Sequence, residues 1–259
     1  MNPKPNFNSL RIATWNLNYA PPQGERGEAC KKQMALVDAD VWILTETRVD
    51  FVVPGFQLVV FSGQVPGIEQ NGWWVSIWVK KPLFVSRVTV PTNDPERTAC
   101  SVIKLASHPD LIVYGVVLPW HGDPRKGSRD WQKTFLASLE LLRQDIKNLQ
   151  AEYPEHIFCV AGDFNQALLD IPHAYGKDAG REALEQTLKE LELTCYTGGK
   201  NDPVNAIAPE HANIDHICLG RLPTGNEEIT VGAWPKEVYT VKVTDHFGVC
   251  VNIPLQASK

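Results

Sequence analysis

Short runs of β-branched and aromatic residues, each bounded by Gly, Pro, Asn or Asp, succeed one another along nearly the whole chain and limit its fold more than any other feature. Arg11–Leu17, Val41–Thr45, Gln57–Phe61, Trp73–Lys80, Phe84–Val90, Ala99–Leu105 and Leu111–Leu118 are predicted strands of the first half. His156–Ala161, Ile214–Leu219, Glu237–Val243 and Gly248–Ile253 follow in the second. Such runs suit a pleated, half-buried surface better than a helix. Three helical segments interrupt them. In Ser128–Glu152, residues Trp131, Phe135, Leu139, Leu142, Ile146 and Leu149 recur at three- and four-residue steps, giving one apolar face. Ser128 is its expected N-cap and Pro154 its stop. Glu25–Val37 and Arg181–Leu193 are the other two, the latter with Leu184, Leu188 and Leu191 on one stripe. Elements with one apolar face each bury it by layering, so the expectation is an α/β chain of two packed sheets flanked by helices. Leu58–Leu118 reads as consecutive strands with short turns, hence antiparallel. With no repeat, low-complexity tract or linker, residues 9–255 are expected to form a single domain.

A chain of 259 residues, 43% of them hydrophobic, can bury its core without covalent staples. Its net charge of −5 gives no global field for nucleic acid or a membrane, although an enzyme on nucleic acid needs only a local one. The six cysteines, Cys30, Cys100, Cys159, Cys195, Cys218 and Cys250, are widely spaced without a C-x-x-C pair. They read as small buried residues rather than a disulfide framework or zinc site, which favours a reducing compartment. The N-terminal segment lacks a basic stretch followed by an apolar one, and the longest apolar run, Leu111–Trp120, is too short to span a bilayer. A soluble, cytoplasmic protein is the expectation, and nothing in the sequence sets an oligomeric state.

Polar residues stand at the strand ends, where a rigid scaffold presents side chains to a common cleft. Asn16 lies in Ala13-Thr-Trp-Asn-Leu-Asn18, Glu46 closes Val41-Trp-Ile-Leu-Thr-Glu46, and His121 ends Gly115-Val-Val-Leu-Pro-Trp-His121. Asp163 and Asn165 follow an apolar strand in Gly162-Asp-Phe-Asn165. Asp215 sits in Asn213-Ile-Asp-His-Ile217, and Asp245 with His246 in Thr244-Asp-His246. Any one of these is more often a turn residue or helix cap, because Asp and Asn satisfy free backbone groups there. The ordered set is another matter.

That set resembles the endonuclease/exonuclease/phosphatase superfamily, the deoxyribonuclease I-like enzymes, from about Arg11 to Ile253. The resemblance implies a four-layer α/β sandwich with two mixed, mainly antiparallel sheets. It also implies that Glu46 is the principal ligand of a divalent cation, with Asn16 and Asp245 close by. Asp163 would orient or deprotonate the attacking water, and Asn165 would hydrogen-bond the phosphate. His246, held by Asp215, would stabilise the transition state, and His121 would flank the phosphate on its other side. Hard oxygen donors select magnesium or manganese over zinc. Strand neighbours point to opposite faces, so only one of Asp215 and His216 can line a cleft; the resemblance selects Asp215 and leaves His216 structural. Asn18 stands where apurinic endonucleases often have Asp, and His121 where they have Tyr, which argues against that branch.

Substrate is less marked. Pro119–Lys133 sets Arg125, Lys126, Arg129 and Lys133 against Asp123 and Asp130. It reads either as a positive lip gripping a polyanion, with Arg125 binding substrate, or as a solvated loop leading into a helix. Arg48 reads either as a phosphate contact, by the resemblance, or as a surface turn residue. Trp73, Trp74 and Trp78 read as packing rather than base-stacking residues. The expected function is a metal-dependent phosphoesterase cleaving the phosphodiester bonds of DNA or RNA. The alternative is a phosphatase or phosphodiesterase for a small phosphorylated metabolite or lipid headgroup, and a third reading is an inactive binding module.

Overall fold

In a computed structural model, residues 9–64, 72–106, 110–121, 123, 130–169, 171, 174–222 and 228–255 are described. The first sheet carries β1 (Ser9–Asn16), β2 (Val41–Arg48), β3 (Phe56–Phe61), β4 (Gly72–Lys80), β11 (Thr230–Trp234) and β14 (Gly248–Pro254), in the order β11-β14-β1-β2-β4-β3. The second carries β5 (Phe84–Val90), β6 (Thr98–Leu105), β7 (Leu111–Val117), β8 (Ile157–Asp163), β9 (Thr194–Cys195) and β10 (Asp215–Gly220), in the order β5-β6-β7-β8-β10-β9. One parallel pair lies within each, β1 with β2 and β7 with β8; the other strand pairs are antiparallel. Helix α1 (Gly24–Val37) covers the outer face of the first sheet, and α2 (Trp131–Glu152) with α3 (Asp178–Glu190) covers that of the second. The result is the four-layer α/β sandwich expected.

Side-chain alternation explains the layers. Ile12, Val41, Ile43, Val75 and Ile77 from one sheet meet Val113, Cys159, Ala161, Ile217 and Leu219 from the other in the central core. Their strand neighbours Trp15, Trp42 and Leu44 turn outward to α1, and Tyr114, Phe158 and Val160 turn outward to α2 and α3. Gly115 sits on the inner face of β7, where a Cβ would strike Val75 and come within 3.2 Å of Ile43, so a side chain there would push the sheets apart.

The structure departs from the sequence expectation at several element ends. Helix α2 begins at Trp131, with Asp130 as N-cap accepting from the Lys133 backbone N–H at 3.2 Å; Ser128 lies outside the described residues. Helix α3 starts earlier than predicted, at Asp178, and stops at Glu190. The run Glu237–Val243 is a hairpin of β12 (Glu237–Val238) and β13 (Val241–Lys242), because Tyr239 and Thr240 take left-handed φ of 50° and 66° and reverse the chain. Strands β9 and β11 have no counterpart in the prediction. Among the described residues no helix is long and apolar enough to cross a membrane, and the six cysteines are free thiols.

Candidate active site

The central strands of both sheets end at one cleft of about 470 Å³. In β8, Cys159 and Ala161 face the central core, so the same alternation brings Asp163 inward at the strand end. In β10, Ile217 and Leu219 face inward, and so does Asp215 at the strand start. These two carboxylates are direct cross-strand partners, each 1% exposed. Like charges in that position repel. Burial, and then Asp215, push the Asp163 carboxyl up to about 7.

A cation offsets the repulsion. His246 Nδ1 lies 2.6 Å from Asp215 Oδ2. Burial opposes charge on this imidazole, but Asp215, Asp163 and Asp245 outweigh it and raise its pKa to about 10. His246 is therefore an imidazolium at neutral pH, its Nδ1–H donated to Asp215. The Trp15 indole donates to the His246 carbonyl at 3.4 Å and fixes the loop from the first sheet.

Asn16 joins the sheets. Its amide nitrogen donates to Glu46 Oε1 at 3.1 Å and to Asp163 Oδ2 at 3.2 Å, and its Oδ1 accepts the Asn18 backbone N–H at 2.8 Å, which fixes the amide's orientation. Asn18 in turn donates to Asp245 Oδ1 at 3.0 Å. Alternation along β2 would send Glu46 outward with Trp42 and Leu44. Instead its φ of 48° breaks the strand geometry and its carboxylate meets Asn16. A left-handed non-glycine residue costs about 1–3 kcal/mol, and such strain concentrates at functional sites. Asn165, with φ of 49°, is a second case. Its backbone N–H donates to Asp163 Oδ1 at 2.9 Å and its amide to the Leu118 carbonyl at 2.9 Å. Burial raises the Glu46 pKa, while His246 and Asn18 lower that of Asp245 against its own burial.

Asn16, Glu46, Asp163, Asn165, Asp215, Asp245 and His246 thus converge. Others do not join them. His121 is exposed, its ring 6.5 Å from that of Trp131, and its neighbour Trp120 lines the cleft instead. Arg48 forms a two-point ion pair with Asp50, at 2.9 Å for both contacts, away from the cleft lining. Arg125, with Lys126 and Arg129, lies outside the described residues. Lys236, Tyr175 and Phe247 also line the cleft, and sequence reasoning does not single them out. Lys236 Nζ lies 4.6 Å from the centroid of the Phe247 ring, and burial lowers its pKa. Lys236 and Tyr175 sit in loops that only tertiary folding brings to the strand ends, whereas Phe247 directly follows the Thr244-Asp-His246 motif.

Asp163, Asp215 and His246 offer ligand atoms within 4.8 Å of one another. The hydrogen bond between His246 and Asp215 already joins two of them. The hard oxygens of Glu46 and Asp245 lie on the side of Asn16 and Asn18. Four carboxylates meet there with His246 and Lys236 as the cations facing them, an excess of negative charge suited to a divalent ion.

Comparison with curated protein sequences gives no match. Solved structures with the same fold include a humanized D. rerio TDP2 carrying 14 mutations, 17% identical, with a TM-score of 0.61 over 95% of this chain and 98% of that one. The endonuclease domain of TRAS1, a telomere-specific non-LTR retrotransposon, is 17% identical, with a TM-score of 0.60 over 96% and 99%. The human Nocturnin catalytic domain with bound sulfate is 16% identical, with a TM-score of 0.65 over 96% and 95%. The model of the Endonuclease/Exonuclease/phosphatase family matches residues 13–246, and the chain belongs to that family of phosphoester hydrolases.

Proposed function

We propose that this chain, acting as one domain over residues 9–255, hydrolyses phosphodiester bonds of nucleic acid with the help of a magnesium or manganese ion. The observation that carries the reading is the buried pair of Asp163 and Asp215 with the His246 imidazolium across it. Glu46, with Asn16 and Asp245, would hold the ion, which when bound neutralises charge on the phosphate oxygens. Asp163, with a pKa raised to about 7, is matched to take a proton from water at neutral pH. As that water's oxygen bonds to phosphorus and the ester P–O bond breaks, the His246 imidazolium faces the charge that grows on the phosphoryl oxygens. Asp215 keeps the ring oriented and charged. The Asn165 amide gives one hydrogen to Leu118 and has a second for a phosphate oxygen.

One observation favours the second reading. A cleft of about 470 Å³, lined mostly by polar and charged side chains with Trp120, Tyr175 and Phe247 among them, has the size of a small-molecule site, as a phosphorylated metabolite or lipid headgroup would require. Incubation with magnesium and a panel of single- and double-stranded DNA, RNA, bis-p-nitrophenyl phosphate, p-nitrophenyl phosphate and inositol phosphates separates the two. Cleavage of a nucleic acid and of the diester is expected. Turnover of p-nitrophenyl phosphate or an inositol phosphate, with every nucleic acid untouched, would overturn the nuclease reading.

A further inference from the structure

Behind the cleft wall, on the outer face of β10, His216 is fully buried, and both its ring nitrogens face carbonyl oxygens. Nδ1 lies 3.3 Å from the Thr197 oxygen and Nε2 lies 2.9 Å from that of Gln166. Carbonyls only accept, so both contacts are satisfied only by a doubly protonated ring. Burial opposes that charge, yet the nearby Cys195 sulfur, the Gln166 carbonyl and Asp202 raise the pKa to about 9. Asp202 is already engaged by the backbone N–H groups of Val204 and Asn213, at 2.9 Å and 2.8 Å. Asp202 and the Cys195 sulfur are the two groups that favour charge on the ring. Cys218 and His216 beside it lower the Cys195 thiol against its own burial, whereas burial pushes the Cys218 thiol up.

Two geometric features bear on this residue, its partial exposure and a second thiol across the sheet. Cys195 is partly exposed at the floor of a separate depression of about 490 Å³, lined also by Leu168, Leu188, Lys189, Gly198 and Gly199. Gly198 has φ −139° and ψ 173°, a conformation open to any residue, but a Cβ there would stand 3.0 Å from the Cys195 sulfur. Across the sheet, Cys195 is the register partner of the buried Cys218. The Tyr196 N–H bonds the Ile217 carbonyl at 3.0 Å, so in the alternation of an antiparallel ladder the adjacent pair, Cys195 and Cys218, is the non-hydrogen-bonded kind. Such pairs have Cα atoms about 4.5 Å apart, within the disulfide range of about 4.4–6.8 Å.

We propose that Cys195 reacts with hydroperoxide and that Cys218 resolves its oxidised form as a cross-strand disulfide. The thiolate sulfur attacks one peroxide oxygen and the O–O bond breaks. The departing hydroxide takes a proton to become water, leaving Cys195 sulfenic acid. The Cys218 sulfur then attacks the Cys195 sulfur, an S–S bond forms, the S–O bond breaks, and the oxygen leaves as a second water carrying the Cys218 proton. Two electrons pass from the two sulfurs to the peroxide, which is supplied from solution.

The purified full chain is treated with hydrogen peroxide, then alkylated and mapped by mass spectrometry. The expected result is a linked Cys195–Cys218 peptide, formed at least about tenfold faster than any oxidation of Cys250, the other partly exposed cysteine, whose thiol burial pushes up. In Cys218→Ser, Cys195 sulfenic acid should accumulate and be trapped by dimedone. A measurement on the unmodified chain needs no variant to fold: iodoacetamide labelling of Cys195 should stay fast as pH falls below about 8.5, where an ordinary thiol slows. Oxidation of Cys195 no faster than that of Cys250, or labelling that falls off near the ordinary thiol range, would overturn the proposal.

Discussion

The second sheet delivers Asp163 and Asp215 to the cleft by regular register, as cross-strand partners at strand ends, whereas the first delivers Glu46, Asn18 and the Asp245–His246 loop through irregular backbone. Glu46 and Asn18 have left-handed φ of 48° and 43°, and Asp245 and His246 precede β14 rather than lie in it. The difference matches what each group would have to do in the proposed reaction. A carboxylate pair whose repulsion tunes a pKa must keep a fixed spacing in a buried place, and two hydrogen-bonded strands supply that. Oxygens gathered around one ion must point inward from one edge, which the period-2 alternation of a strand forbids. Asn16, bonded to Glu46 and Asp163 together, ties the two groups to one geometry.

Replacing one residue from each sheet breaks the comparison most severely. Glu46→Ala and Asp163→Asn should each lower turnover by about 10³-fold with the fold retained. Only Glu46→Ala should weaken magnesium binding measured by calorimetry. Equal loss of metal affinity in both variants would mean that the two sheets do not divide the work.

Asp215→Asn tests the contact between the sheets and should cost about 10²-fold in turnover. In metal-free protein the His246 imidazole, observed by NMR, should titrate near 10 in the parent and fall toward the ordinary histidine range in the variant. The linked stability has a definite sign. A pKa raised on folding stabilises fully below the unfolded value of about 6.5 and is lost as pH rises through the folded one. Chelated parent protein should therefore lose stability to urea between neutral pH and pH above about 10, and Asp215→Asn should lose less over that span.

The smallest effect concerns the segment after His121. Replacing Arg125, Lys126 and Arg129 with Ser should weaken binding of duplex DNA and flatten its salt dependence by about 0.9 in log–log slope for each phosphate no longer neutralised. Hydrolysis of bis-p-nitrophenyl phosphate, which has no second phosphate to grip, should change little. An unchanged slope would assign that segment to solvent.

Much of the scaffold is legible in the chain because its strands alternate between two buried faces, so that each apolar run ends where a polar residue begins. The opposed directions of Asp215 and His216 follow from the same rule. What fails locally fails for a reason. Asp130 caps α2 in place of Ser128, since the helical periodicity fixes an element but not its first residue. The turn at Tyr239 and Thr240 splits a predicted strand because neither residue is a usual left-handed former. At the cleft, strand ends announce Asn16, Asp163 and Asp215, while Lys236 and Tyr175 arrive through long-range folding. His121 marks the end of an apolar run and is not among the residues that line the cleft, whereas Trp120 beside it is.

One cation held by the first sheet beside a proton-handling pair on the second is an arrangement that chelation tests most directly. Protein stripped with EDTA and then dialysed should not hydrolyse bis-p-nitrophenyl phosphate, and magnesium or manganese should restore the parent protein but not Glu46→Ala. Full turnover by the exhaustively chelated protein would contradict that arrangement.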